Sequence, residues 1–138
     1  MQKILIQRTL TSPEIYFSPE ENIFFIRGNS APEDVRALYY PVIEWIRIFI
    51  DDVLDGEFKE FNADNPLRFQ IDLSYFNSSS AKFLFDILTE LKRLHNSGTP
   101  VLIEWHYEEG DPDMEDAGND ISLLVGMEFS YIAKQKDS

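Results

Sequence analysis

Three successive stretches in the middle of the chain constrain its fold most. Leu67, Phe69, Ile71 and Leu73 alternate with Arg68, Gln70, Asp72 and Ser74, the two-residue period of a strand with one buried face. From Ser80 to Asn96, Leu84, Ile87, Leu88, Leu91 and Leu94 recur at helical spacing. Lys92 and Arg93 suit the negative end of that helix and Gly98 suits a left-handed cap. Thr99-Pro100 ends the turn, and the β-branched and aromatic run Val101 to Tyr107 predicts a second strand. A strand, a helix and a strand in this order form a parallel pair with a right-handed crossover between them. The chain is therefore expected to be of the α/β class.

The flanking sequence adds to this unit. Glu14 to Phe17 and Ile23 to Ile26 are β-prone runs around the Pro and Asn of Ser18-Pro19-Glu20-Glu21-Asn22, which predicts an N-terminal hairpin. Ser30-Ala31-Pro32-Glu33 has the pattern of a capping box and predicts the start of a long helix. Val35, Leu38, Tyr39, Val42, Trp45, Ile46, Phe49 and Val53 would face the core from that helix. Pro41 inside it predicts a bend or a junction of two pieces. Asp55 to Pro66 reads as a loop, with Phe58 and Phe61 tucked against the body. A third helical segment is expected from about Asp116 to Leu124 and a last strand from Glu128 to Ala133. A polar tail follows from about residue 134.

The 138 residues match one domain, and 43% hydrophobic residues, with 11 Phe, suffice for one core. With 25 acidic against 12 basic side chains, the net charge of −13 argues against nucleic acid and anionic membrane surfaces as partners. The absence of cysteine removes thiolate chemistry, disulfides and Cys-based zinc sites, and suits the cytosol. Ile4-Leu5-Ile6 is far shorter than the roughly 7 to 15 apolar residues of an export-signal core. No run approaches the roughly 20 apolar residues of a membrane helix, so no membrane insertion is expected.

Metal and cofactor patterns are also missing. The acidic run Glu108 to Asp116 lacks the glycine and glutamate register of a calcium loop and reads as a solvated loop. His95 and His106 share no ligand spacing. No phosphate-binding loop, nucleophile elbow or His-Glu-x-x-His pair occurs. Neither a cofactor nor an enzymatic activity is expected. Trp45, Phe83 and Phe85 are candidates for an exposed partner patch.

In parallel sheets, sites gather where a strand ends and the next helix begins. Tyr75-Phe76-Asn77-Ser78-Ser79-Ser80 occupies that place. Two readings fit the residues. In one, Asn77 or Ser78 caps the helix and the remaining serines are ordinary first-turn residues. In the other, the run carries a phosphoacceptor, whose phosphate of about −1.5 to −2 charge the helix N-terminus would help to hold.

The stretch Asp72-Leu73-Ser74-Tyr75-Phe76-Asn77-Ser78-Ser79-Ser80-Ala81-Lys82 resembles the switch region of STAS domains, the anti-sigma-factor antagonist family. More narrowly, it resembles the SiaC-type regulatory phosphoproteins of bacteria. Val42-Ile43-Glu44-Trp45 and Trp105-His106-Tyr107 extend the resemblance over most of residues 10–107. It implies a single STAS-like domain over residues 1–138, with a central mixed sheet, an N-terminal hairpin and about three flanking helices. It also implies a phosphoacceptor directly after the asparagine, at Ser78, with Ser79 as the alternative, and partner contacts around it at Tyr75, Asn77, Ser79, Ser80 and Lys82. The partners it implies are a cognate protein kinase, a PP2C-type phosphatase and a diguanylate cyclase bound and stimulated by the unphosphorylated form, a role in cyclic-di-GMP and biofilm control. An anti-sigma-factor antagonist and a small-molecule-binding domain are the alternatives. The general STAS pattern has aspartate before the hydroxyl pair and glycine after it, where this chain has Asn77 and Ser80 or Ala81.

Overall fold

The computed structural model describes residues 2–135. Its strands are β1 (Ile4–Ile6), β2 (Glu14–Ser18), β3 (Ile23–Ser30), β4 (Leu67–Phe76), β5 (Val101–Glu108) and β6 (Ser130–Lys134), and its helices are α1 (Val35–Leu54), α2 (Ser78–Asn96) and α3 (Pro112–Val125). The six strands form one sheet in sequence order. β1, β2 and β3 pair antiparallel, whereas β3, β4, β5 and β6 pair parallel through the three helices. The sheet is mixed, as expected, and opens with the expected hairpin.

Strand alternation divides the sheet into two unlike faces. Ile15, Phe17, Phe24, Ile26, Phe69, Ile71, Ile103 and Trp105 point to the helical side and are buried. Phe17 meets Trp45 of α1, Phe24 meets Phe49 of α1, and Trp105 donates its indole N–H to the Met114 carbonyl of α3 at 3.0 Å. α2 lies between these helices, its Phe83 ring stacked on Tyr39 at 5.4 Å. All three helices thus cover one face, which follows from successive right-handed crossovers running in one direction along the sheet. Each fully buried large apolar side chain contributes about 1.5–3 kcal/mol, so this layer holds the fold. The opposite face carries Tyr16, Phe25 and a lattice of ion pairs, among them Arg27 with Glu14, Arg68 with Glu104 and Lys134 with Asp72.

Several boundaries differ from the sequence-based expectation. α1 is capped by Asp34, whose carboxylate accepts the Ala37 N–H at 3.0 Å. Ser30 is the last residue of β3 and fully buried, so the apparent capping box is not one. The helix runs unbroken through Pro41, which removes the two-piece alternative. α3 begins at Pro112, not near Asp116, because Asp111 caps it and Pro112 fits the first helical turn. Half of the supposed acidic loop is therefore helix. β1 was not anticipated: three apolar residues make no periodic signal, and the strand exists by pairing with β2. β6 is shifted to Ser130–Lys134, so residue 134 belongs to the sheet and most of the expected tail, 136–138, lies outside the described residues. Phe58 and Phe61 pack against the core from the loop as expected.

Candidate functional site

The end of β4 is shaped by an irregularity. Gly28 of β3 pairs with Leu73, but Asn29 pairs with Tyr75, so Ser74 is an extra residue on β4. Gly28 has φ of +112°, a conformation that few residues other than glycine adopt. Strict alternation would place Tyr75 on the buried side with Leu73. The bulge re-aims it, as bulges do, and its side chain is 55% exposed.

Beyond Phe76 the chain turns directly into α2. The Asn77 N–H donates to the Ser30 carbonyl at 3.0 Å, and its side-chain oxygen accepts the Ser80 N–H at 2.9 Å. Asn77 is therefore the helix cap, and one of the first-turn N–H groups is satisfied through it. Ser78 and Ser79 take the first two helical positions and both are exposed.

Ser80 differs from its neighbours, being fully buried. Its hydroxyl donates to the Ser30 carbonyl at 2.8 Å and accepts from the Ser30 hydroxyl at 2.8 Å. The Ser30 oxygen in turn bonds to the Tyr39 hydroxyl at 2.6 Å, with Tyr39 as the donor once Ser30 has given its proton to Ser80. Burial raises the Tyr39 pKa against the opposing influence of the nearby Ser30 and Ser80 hydroxyls, so the phenol keeps its proton and can donate it to Ser30. This network ties β3, α1 and α2 together under the corner. Ser80 cannot reach a partner, which corrects its place among the expected contact residues.

Lys82 stands one turn further along α2, its side chain 71% exposed, with Nζ 3.5 Å from Asp86 and 5.0 Å from the centre of the Phe83 ring. The corner thus presents Tyr75, Ser78, Ser79 and Lys82 to solvent over a buried polar anchor. Of the aromatic candidates for a patch, Phe83 is buried and Trp45 and Phe85 are half-buried against the core. Sequence reasoning passed over Ser30 and Tyr39 as parts of the site. Their signal, a serine at a strand end and a tyrosine on a helical core stripe, has meaning only when the fold brings Ser80 between them.

Among the described residues, no group of three or more His, Asp or Glu side chains could hold a metal ion. His95 is exposed, and His106 lies on the open sheet face with Nε2 3.5 Å from Glu104. The chemistry this corner supports is that of an exposed hydroxyl held at a helix N-terminus, where its Oγ is open to an incoming phosphoryl group and the helix dipole favours the product.

Residues 6–134 match the model of the SiaC family of regulatory phosphoproteins. The chain belongs to the SiaC family. An uncharacterized protein of Pseudomonas aeruginosa strain UCBPP-PA14 is 32% identical over 108 residues, which is 78% of this chain and 78% of that protein. The fold is likewise that of solved SiaC structures. Apo-SiaC from Pseudomonas aeruginosa matches with a TM-score of 0.75 and 26% identity, covering 97% of this chain and 99% of that one. The SiaC-containing crystal structure of the diguanylate cyclase SiaD in complex with its activator SiaC, from the same organism, matches with a TM-score of 0.78 and 26% identity over 96% of this chain and 99% of the matched one. The expected resemblance to SiaC-type proteins is therefore shown across most of the molecule.

Proposed function

We propose that this protein is a non-enzymatic cytoplasmic switch whose unphosphorylated form binds and activates a diguanylate cyclase and whose phosphorylation on Ser78 ends that binding. The observation that carries the reading is the likeness to a SiaC structure held in complex with the cyclase it activates. Among the described residues no helix is long and apolar enough to cross a membrane, so the protein would meet its cyclase as a surface partner.

Ser78 is favoured as the acceptor on three grounds. It directly follows the capping Asn77, it is exposed, and a phosphate on it would lie beside the first-turn N–H groups of α2, where the dipole stabilises negative charge. Ser79 shares the exposure and is the alternative acceptor. Tyr75, Ser79 and Lys82 surround it on the open surface and are the proposed contact residues, while Asn77 contributes by holding the turn. A protein kinase and a PP2C-type phosphatase are the proposed opposing partners.

The test is direct. With the cognate kinase, Ser78→Ala should take up no phosphate while Ser79→Ala is modified normally, and Ser78→Asp should bind the cyclase at least tenfold more weakly than the wild type. Normal phosphorylation of Ser78→Ala, or undiminished binding by Ser78→Asp, would remove the Ser78 assignment. Recovery of a sigma-factor regulator in place of a cyclase from cells would replace the partner.

A further inference from the structure

The two edges of the sheet are not equally protected. β1 closes one edge with only three residues. β6 closes the other with five, Ser130–Lys134, and pairs with β5 on one side only. Beyond that pairing, its one backbone bond among the described residues runs from the Glu109 N–H, just after β5, to the Lys134 carbonyl. A strand whose outer N–H and C=O groups are unpaired is a template for a further strand, and proteins ordinarily blunt such an edge with proline, a bulge or an outward lysine. β6 has no proline and no register shift, and its lysine, Lys134, is drawn back across the sheet to Asp72 of β4.

The helical side of this edge is apolar. Tyr131 lies level with Trp105 of β5, and Phe129 stacks on the Trp105 ring with 6.0 Å between centroids. Together with Asn119, Ser122, Leu123 and Glu128 they line a groove of about 450 Å³ between α3 and the start of β6. Leu123, on its wall, is 82% exposed. An open strand edge and an exposed leucine thus stand side by side on one flank of the molecule.

We infer that a second copy of this chain pairs with β6, so that two molecules share one continuous sheet about a two-fold axis. The sequence of the edge is complementary to itself when reversed. An axis at Tyr131 runs β6 antiparallel to its copy and sets Glu128 against Lys134, Phe129 against Ala133, Ser130 against Ile132 and Tyr131 against itself. Acid meets base at both ends. On the helical side a large ring meets a methyl group on either flank of a tyrosine pair, and such cross-strand contacts are what hold antiparallel strands together. On the open side Glu128 of the copy extends the row of Asp72 and Lys134, and the lysine ammonium has donors for both acids. The axis stands perpendicular to the sheet, so the helices of both copies lie on one side and each Leu123 is brought toward the other copy. The net charge of −13 opposes association. Repulsion between exposed charges is, however, screened beyond about 8 Å in physiological salt, and the segment Glu128 to Lys134 is itself neutral. Because the pairing uses the same edge of both molecules, it closes at two copies. The edge carries this inference without reference to the cyclase.

Sedimentation of the full chain over the micromolar range should show a monomer–dimer equilibrium. Leu123→Gln and Glu128→Lys should each weaken the dimer at least tenfold, with circular dichroism confirming that both variants fold. Ile48→Gln alters a side chain 51% exposed on α1, away from the edge, and should dimerise as the wild type does. The chain has no cysteine, so single introduced cysteines report the register without background. Under mild oxidation Tyr131→Cys should form a disulfide-linked dimer, because position 131 faces itself across the axis. Ser130→Cys should not, because its copy lies two residues along the strand, beyond the roughly 7 Å between Cα atoms that a disulfide can bridge. A wild type that stays monomeric throughout overturns the inference and leaves the edge to a strand of another protein. A dimer indifferent to both Leu123→Gln and Glu128→Lys places the contact elsewhere and overturns it as well. Linkage through Ser130→Cys in the absence of linkage through Tyr131→Cys overturns the register.

Discussion

Three consecutive serines that look alike in sequence sit in three different environments, and alanine substitution should separate them. Ser80→Ala removes a hydroxyl that both donates and accepts within the Ser30 and Tyr39 network, leaving the Ser30 hydroxyl without its acceptor in a buried site. A loss of about 1–3 kcal/mol is expected. Ser78→Ala and Ser79→Ala change exposed positions and should stay within about 0.5 kcal/mol of the wild type. Urea unfolding of the three variants checks this; equal losses at all three positions would show that the buried network contributes nothing. A second residue-scale test concerns Glu104, a buried carboxylate on the open sheet face. Burial raises its pKa, but the hydrogen bonds from Arg68 and Gln70, the Arg68 charge and the nearby His106 ring outweigh burial, and its pKa falls below the usual glutamate value. A depressed carboxylate pKa stabilises the fold above the unfolded-state pKa of about 4.3 and loses that contribution as pH falls through the lower folded value. Arg68→Ala should therefore cost about 1–2 kcal/mol at pH 7, and the gap to the wild type should close as the pH is lowered below about 4. A gap that persists unchanged at low pH would show that Arg68 acts through packing alone.

At the scale of elements, the packing of α3 on the sheet turns on one missing side chain. A Cβ on Gly118 would lie 2.6 Å from the Cδ1 and Nε1 atoms of Trp105, the same indole that donates to the Met114 carbonyl. In an exposed helix Gly→Ala gains about 1 kcal/mol. Here the clash should reverse the sign, and Gly118→Ala should lose about 1–3 kcal/mol in thermal or urea unfolding with a blue-shifted or broadened tryptophan emission; a stabilised variant would mean that α3 lifts freely from the sheet. Elements of this kind also show what the sequence made legible. β4, α2 and β5 were plain because their apolar residues repeat over several periods, and the β2–β3 hairpin because a turn separates two β-prone runs. β1 was hidden because three residues have no period and its partner strand lies across a loop. The start of α3 was hidden because Asp111-Pro112 and the acids after it suit a loop and a helix N-terminus equally well. The false cap at Ser30 had the right residues in the right order, but β3 extends to Ser30 beside β4, and the serine went to the strand. The location of the switch corner followed from the periods of β4 and α2. The division of labour among its serines did not, because it depends on Ser30 and Tyr39, residues remote from Ser80 in the chain.

At the scale of the whole molecule, the proposed switch rewrites a surface and leaves the fold as it is. The corner is fixed on its inner side by the Asn77 N–H on the Ser30 carbonyl, the Asn77 side chain on Ser80 and the Ser80 hydroxyl on Ser30, none of which involves the Ser78 side chain. Negative charge at the first helical position is favoured by about 0.3–1 kcal/mol, so Ser78→Asp should have a Tm equal to the wild type or up to about 4 °C higher. Its near-ultraviolet circular dichroism, dominated by the buried Trp105 and the half-buried Trp45, should be unchanged even as cyclase binding falls. That pairing of outcomes distinguishes repulsion and desolvation at a rigid surface from a conformational change. A lowered Tm or an altered aromatic spectrum in Ser78→Asp would mean that phosphate loosens the β4–α2 corner, and loss of binding would then follow from displacement of α2 against α1 and α3, with no need for charge repulsion at the surface.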